Sequence, residues 1–299
     1  MISVRWKRDW QRVRVIVQTG AMGYETIELT PVAGALGAVI SGVDLAAVLP
    51  DPTVAEIRRA WLDHGVVFFR DQDLDADRFL AFARRIGEPV EYPFVKGLED
   101  HPEIITIAKL PHETVNFGGV WHSDTAYLER PPMGTMLIAR EVPPAGGDTL
   151  WASTAAAYES LSPGLTRLID PLRAVNTSAM ADVSKTREDR IKDSGYEDAR
   201  EYVAEHPVVR THPETGRKAL YVNPAHTERF VDMTVEESRP LLQYLFSVVT
   251  RPEHTVRFHW EVGSLALWDN RSTWHNPIND YHGYTRVMHR ITLAGDVPA

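Results

Sequence analysis

A succession of short apolar runs, each closed by turn formers and few of them separated by helices, most restricts what this chain can fold into. TIELTPV and GAVISGVDL alternate or run apolar and end in turn formers, as strands do. GVVFFR is fully apolar at strand length, which predicts a buried strand. EIITIA, GTMLIARE, PLRAVNTS, PVVRTH, KALYVN, TVRFHW, SLALW and TRVMHRITLA are also strand-like and mostly short. Helices are fewer. Asp51 is placed as an N-cap with Pro52 at the first helical position, and Val54, Ile57 and Trp61 then recur at helical spacing until Gly65. Asp75 caps a second helix carrying Phe79, Phe82 and Ile86, stopped by Gly87. Thr234 and Glu237 read as a capping box ahead of Leu241, Leu242, Leu245 and Phe246. Many short strands with few βαβ alternations predict a mainly-β chain with flanking helices (α+β), built on a sandwich or jelly-roll core.

Composition narrows the function. With 299 residues, 43% of them hydrophobic, the chain can bury a full core as one domain, expected over residues 22–299. It has no cysteine, which excludes disulfides, thiolate zinc sites and iron–sulfur clusters and fits a cytoplasmic protein. A formal charge of −9 argues against nucleic-acid binding. No apolar run approaches the roughly 20 residues that span a bilayer, so no membrane partner is expected. The first 20 residues carry Arg5, Lys7, Arg8, Arg12 and Arg14 against Asp9 alone. Residues 1–21 are therefore expected to be a poorly ordered basic extension ahead of Met22. Residues 182–206 are dense in charge and poor in core residues, which fits a solvated helical insert or a lid over a pocket.

Two distant stretches carry chemistry. WHSDTAY places His122 and Asp124 two residues apart, and an extended segment points both side chains the same way. Such a pair is common by chance and weak alone. In SLALWDNRSTWH, a buried strand is expected to enter an irregular polar turn that aims His275 inward. Two imidazoles and one carboxylate on one face of a metal leave coordination positions open, a set that suits non-haem Fe(II) with a cosubstrate and O2. Arg286 and Arg290 flank Met288 at even spacing, so all three share a strand face. Two arginines projecting into a sheet interior need anions. Those anions are either ligands or acids at a sheet end such as Asp280.

These residues carry a resemblance. GVVFFRDQ, WHSDTAYLERPPMG, PPAGGDTLWAS, HPVVRTHPETGRKALYVN and WDNRSTWHNPINDY…RVMHRITLAGD, in this order and spacing, resemble the taurine dioxygenase/TfdA-type family of Fe(II)- and 2-oxoglutarate-dependent dioxygenases, from about Thr26 to Asp296. The resemblance implies a double-stranded β-helix, a form of jelly roll. It implies His122, Asp124 and His275 as iron ligands, and Thr149 and Arg286 as holders of the distal carboxylate of 2-oxoglutarate. The implied reaction is O2-dependent C–H hydroxylation, with breakage of an adjacent C–S or C–O bond where the hydroxylated carbon carries such a heteroatom.

Departures bear on the substrate. Taurine-cleaving members have a histidine three residues after the Gly-Glu pair, where this chain has Val90. They have an asparagine four before the first ligand, here Gly118, and a phenylalanine after the Tyr-Val-Asn element, here His226. A further phenylalanine is replaced near Asp182, where the alignment is loose. Arg290 matches the arginine that receives the substrate's anionic group. The expected substrate is therefore a small organic anion, a sulfonate, sulfate ester or carboxylic acid, turned over by a homo-oligomer. Two rivals stay open: a zinc-dependent hydrolase, and a non-catalytic jelly-roll binding protein.

Overall fold

The computed structural model describes residues 23–180 and 201–299. The basic extension over residues 1–21, and residues 182–200 of the expected insert, lie outside the described residues. An eight-stranded mixed sheet runs β1 (Glu28–Pro31), β2 (Ala38–Ser41), β3 (Val66–Phe69), β14 (Leu265–Asp269), β6 (Gly134–Glu141), β16 (Arg286–Leu293) and β4 (Pro89–Val90). In it β5 (Ile104–Lys109) pairs with β16, and β2 with β3 is parallel. A three-stranded sheet of β13 (Thr255–Phe258), β7 (Thr149–Ser153) and β15 (Thr273–Pro277) contributes Trp151, Val256 and Phe258 to a shared core with the large sheet. Two smaller sheets join β12 (Thr227–Phe230), β8 (Arg173–Thr177) and β9 (Val203–Pro207), and β10 (Val209–Thr211) with β11 (Lys218–Leu220).

Side-chain alternation explains why the central strands read as unbroken apolar runs. On β14, Leu265 and Leu267 face one core, and Ala266 and Trp268 face another. The first core lies under α1 (Asp51–His64) and α2 (Ala76–Ile86), which bring Ile57, Trp61, Phe79, Phe82 and Ile86. The second lies between the sheets, where Phe68 stacks on Phe258 at 4.1 Å and Trp151 meets Phe68 and Trp268 edge-on. A third core joins α3 (Thr154–Glu159), α4 (Pro163–Ile169) and α5 (Val235–Val249) to β8, β10, β11 and Trp274. Each large apolar side chain fully buried this way contributes about 1.5–3 kcal/mol.

Some local expectations move. The N-cap of α1 is Pro50, which has no side chain to cap with, and Asp51 is already helical and accepts from Arg85. The Asp75 cap, the stop at Gly87 and the Thr234–Glu237 capping box are present. Val203–Pro207 is a strand on β8 rather than part of a helical insert: His206 is buried there, while Val203 and Glu205 face outward. RSTWH is not one irregular turn. The turn is confined to residues 270–272, where Asn and Ser favour it, and β15 resumes at Thr273. No described helix is long and apolar enough to cross a membrane.

Candidate functional site

Backbone pairing brings the two distant stretches together. β15 lies antiparallel to β7 with His275 opposite Trp151, and the segment before β6 adds to its other side. His122 N donates to His275 O at 3.1 Å, and His275 N donates to His122 O at 2.8 Å. Two residues opposite in such a bridge carry their side chains on one side. The imidazole centroids are 4.1 Å apart. Asp124 Oδ1 then lies 3.8 Å from His122 Nε2 and 3.8 Å from His275 Nε2. One ligand atom from each residue lies within 4.8 Å of the other two, so His122, Asp124 and His275 could hold a metal ion.

The surroundings prepare these atoms. His122 Nδ1–H donates to Val120 O at 2.7 Å, which leaves Nε2 with a free lone pair. His275 is held by Trp268, whose ring lies 4.7 Å from its own. Asp124 uses its two oxygens differently. Oδ1 faces the imidazoles, while Oδ2 accepts from Thr135 Oγ1 at 2.6 Å and lies 2.9 Å from Arg290 Nη2. That arginine contact is close but poorly aligned, so Arg290 Nη2 and Nε both lack a true hydrogen bond among the described residues. Asn270 locks the arrangement: its Nδ2 donates to Thr135 Oγ1, and its Oδ1 accepts from Trp268 Nε1. Residue-by-residue reading missed Thr135, Asn270 and Trp268, although the last two stand in the WDN triplet five to seven residues before His275.

Electrostatics favour metal-ready protonation states. Burial works to raise the Asp124 pKa, but Arg290, His275 and His122 outweigh it and hold the carboxylate well below its usual range. Burial pushes His122 and His275 down, so both imidazoles keep their lone pairs. Burial, followed by the charge of His122, takes His226 down to about 3. This donor set, with neutral nitrogens and an ionised oxygen, fits a divalent first-row metal.

The shifts have a stability consequence. An unfolded imidazole protonates near pH 6.5, whereas buried His122, His206, His226 and His275 refuse the proton. Below pH 6.5 the unfolded chain therefore binds more protons than the folded one. Stability is full above that pH and falls as pH drops toward about 3, where His226 itself titrates. Metal-free protein should keep one melting temperature from pH 7 to 8 and lose it steadily from pH 6.5 to 5, above the carboxylate range. His226→Phe should make this limb shallower by up to about 1.4 kcal/mol per pH unit. An identical limb in the variant would mean that His226 is not held neutral.

Two cavities meet at the triad. One, of about 710 Å³ with its open mouth, is lined by Tyr92, Val115, Phe117, Val120, Tyr127 and His226, and also by Gly118 and Arg290. The other, of about 430 Å³ with its open mouth, is lined by Ile107, Leu137, Thr149, Trp268, Pro277 and Arg286. Phe117, Gly118, His122 and Arg290 belong to both. Gly118 has a physical reason to be glycine: its φ is +72°, and a Cβ would lie 2.9 Å from the His122 ring. Val90 lines neither cavity. Its strand β4 is two residues long and spends Val90 on pairing with Thr292, and Tyr92 reaches the cavity instead. Arg286 is buried, and among the described residues its Nε and Nη2 have no hydrogen-bond partner and it forms no ion pair. Asp280 accepts from Gly147 N and lies near Arg257 instead. Thr149 Oγ1 accepts from Trp260 Nε1 at 3.0 Å, so its own proton is free to point elsewhere.

Residues 28–292 match the family model described as taurine catabolism dioxygenase TauD, TfdA family. The chain belongs to the TauD/TfdA family. As a member, it is a 2-oxoglutarate-dependent dioxygenase. It is 38% identical to an alpha-ketoglutarate-dependent sulfate ester dioxygenase of Pseudomonas putida, over 91% of each chain. It is 36% identical to an alkylsulfatase of Acinetobacter baylyi, covering 91% of this chain and 86% of that one. Among solved structures it resembles a taurine dioxygenase from Burkholderia xenovorans, with a TM-score of 0.79 and 39% identity over 92% of this chain and 93% of that one. AAD-2 in complex with Mn(II) and N-oxalylglycine superposes with a TM-score of 0.78 at 25% identity, over 92% of this chain and 99% of that one.

Proposed function

We propose that this TauD/TfdA member is an Fe(II) enzyme that hydroxylates small organic anions, sulfate esters foremost, and thereby cleaves them to an aldehyde and sulfate. His122, Asp124 and His275 hold the iron, Thr149 and Arg286 hold the far carboxylate of 2-oxoglutarate, and Arg290 receives the substrate's anion. The observation that carries this reading is the placement of the triad between two cavities, each reached by a buried arginine. The reading treats residues 22–299 as one catalytic domain on a double-stranded β-helix, formed by the eight-stranded sheet and the β13–β7–β15 sheet. The Mn(II) and N-oxalylglycine held by AAD-2 support the cosubstrate half, and the sulfate ester relatives support the substrate half.

Iron bound there would supply oxidative decarboxylation of 2-oxoglutarate by O2 to succinate and CO2, with one oxygen atom entering succinate and the other hydroxylating a substrate C–H bond. The protein's residues do the positioning. Arg286 offers a guanidinium fork to the cosubstrate tail, and Trp260 turns the Thr149 hydroxyl proton toward the same carboxylate. Burial, tempered by Arg290, pushes the Tyr92 phenol up to about 12, so it stays neutral and leaves the positive charge of Arg290 available. Phe117, Ala225 and the half-exposed Val115 and Val120 give the substrate's alkyl chain an apolar wall and mouth. Hydroxylation at the carbon bearing the ester oxygen gives a hydroxy sulfate ester. Loss of its O–H proton forms a carbonyl, and the C–O bond to sulfate breaks with its electron pair leaving on sulfate.

A panel of an alkyl sulfate, sulfonate, carboxylate and alcohol of equal chain length tests this. The alkyl sulfate should release succinate and inorganic sulfate in equal amounts, and the alcohol should release neither. Arg290→Lys keeps the charge but loses the fork, and a misplacement of about 1 Å can cost on the order of 100-fold in rate. We expect that loss in kcat/KM for the alkyl sulfate, with 2-oxoglutarate binding retained. Fast turnover of the alcohol, or an unaffected Arg290→Lys, would refute the anionic reading.

A further inference from the structure

Lys109 is the last residue of β5 and is 2% exposed. Its Nζ has no hydrogen-bond partner among the described residues. It lies over the ring of Tyr281, 4.3 Å from the centroid. Of the acids in this region, Glu113 accepts from the backbone N of Leu110, and Asp148 and Asp280 have partners of their own. Asp148 accepts from Arg257 Nε at 2.6 Å and pairs with His259 Nδ1 at 2.7 Å, and Asp280 accepts from Gly147 N. A buried ammonium that makes a ring contact but no hydrogen bond is poorly compensated for its lost water.

The register says where that ammonium stands. Lys109 is directly opposite Arg286 across the β5–β16 ladder, as Ile107 is opposite Met288 and Ile105 opposite Arg290. Residues opposite each other share a sheet face. That face is the inner one, since Ile107 and Met288 pack in the core between the sheets. Two buried cations, Lys109 and Arg286, therefore stand opposite each other on neighbouring strands, with Arg286 lining the smaller cavity and both holding nitrogens that have no hydrogen-bond partner among the described residues. Like charges so placed repel unless an anion joins them.

We propose that Lys109 is a second cation of the cosubstrate site, donating from Nζ to the far carboxylate of 2-oxoglutarate beside Arg286. This rests on the reading of Arg286 given above. Arg286 supplies the planar fork, and Lys109 supplies a point charge from the neighbouring strand. Together they make the site selective for 2-oxo acids with an anionic tail over those with an apolar one.

Calorimetric titration of Mn(II)-loaded protein with 2-oxoglutarate, and with 2-oxopentanoate, which carries a methyl group in place of the tail carboxylate, tests it without turnover. Lys109→Met is neutral and close in shape. We expect it to weaken 2-oxoglutarate by about 10- to 100-fold, the range of a charge-assisted hydrogen bond, and to leave 2-oxopentanoate unchanged. Ligand-free Lys109→Met should melt at or above the wild-type temperature, because a poorly compensated buried charge has been removed. Lys109→Arg should bind 2-oxoglutarate within a few-fold of wild type, and it keeps the test open if the Met variant does not fold. Unchanged 2-oxoglutarate affinity in Lys109→Met, with a lowered melting temperature, would overturn the proposal and make Lys109 a strut for Tyr281. Wild-type protein that binds both acids equally would instead overturn the reading of Arg286 on which it rests.

Discussion

Asp124→Ala is expected to reduce turnover to background, to abolish the visible Fe(II)–2-oxo acid absorption under anaerobic conditions, and to destabilise the metal-free chain. The first two follow from the loss of the sole anionic donor in the triad, since two neutral imidazoles remain. The third follows from the other carboxylate oxygen. Oδ2 lies 2.9 Å from Arg290 Nη2, and both side chains are almost fully buried. Removing one partner of a buried pair strands the other charge, at a cost of about 3–5 kcal/mol. At about 2–4 °C per kcal/mol for a chain of this size, the melting temperature should fall by roughly 10 °C. Adding Arg290→Met to Asp124→Ala should recover most of that stability and none of the activity. This separation is the informative part: a single variant that loses activity could merely be unfolded, while the double variant could not. Retained iron absorption in Asp124→Ala would remove the carboxylate from the triad.

Arg286→Ala should raise the 2-oxoglutarate concentration for half-maximal rate by on the order of 30- to 1,000-fold. A guanidinium–carboxylate pair in a buried site contributes roughly 2–4 kcal/mol, and each 1.4 kcal/mol is tenfold. Arg286 is buried, and burial pulls its pKa down further than Tyr281 and Asp148 push it back up, so an anion bound there would be held strongly. Thr149→Ala should do less, about 1 kcal/mol, because one neutral hydroxyl is lost and Trp260 Nε1 is left without its acceptor. The measurement is the KM for 2-oxoglutarate at saturating substrate. Equal values in wild type and Arg286→Ala would mean that the cosubstrate tail lies elsewhere.

Local chemistry made much of this legible in the sequence. Period-two alternation and turn formers located most strands, because a strand's two faces must each meet their own environment. The Asp75 cap, the Gly87 stop and the Thr234–Glu237 box were readable because capping is decided within four residues. The even spacing of Arg286 and Arg290 placed both in one interior for the same reason. The ordered motifs from GVVFFRDQ to RVMHRITLAGD identified the family.

What the tertiary structure alone decided was long-range pairing. That His122 bridges His275, 153 positions along the chain, is a matter of which strand β15 accepts as neighbour, and neither segment encodes it locally. Asn270 reaching Thr135, Tyr92 in place of Val90 at the cavity wall, and Lys109 opposite Arg286 are consequences of the same sheet register. The turn positions and alternation were therefore set residue by residue. The meeting of charges at the triad was set by register, which depends on packing both faces of the sheet at once.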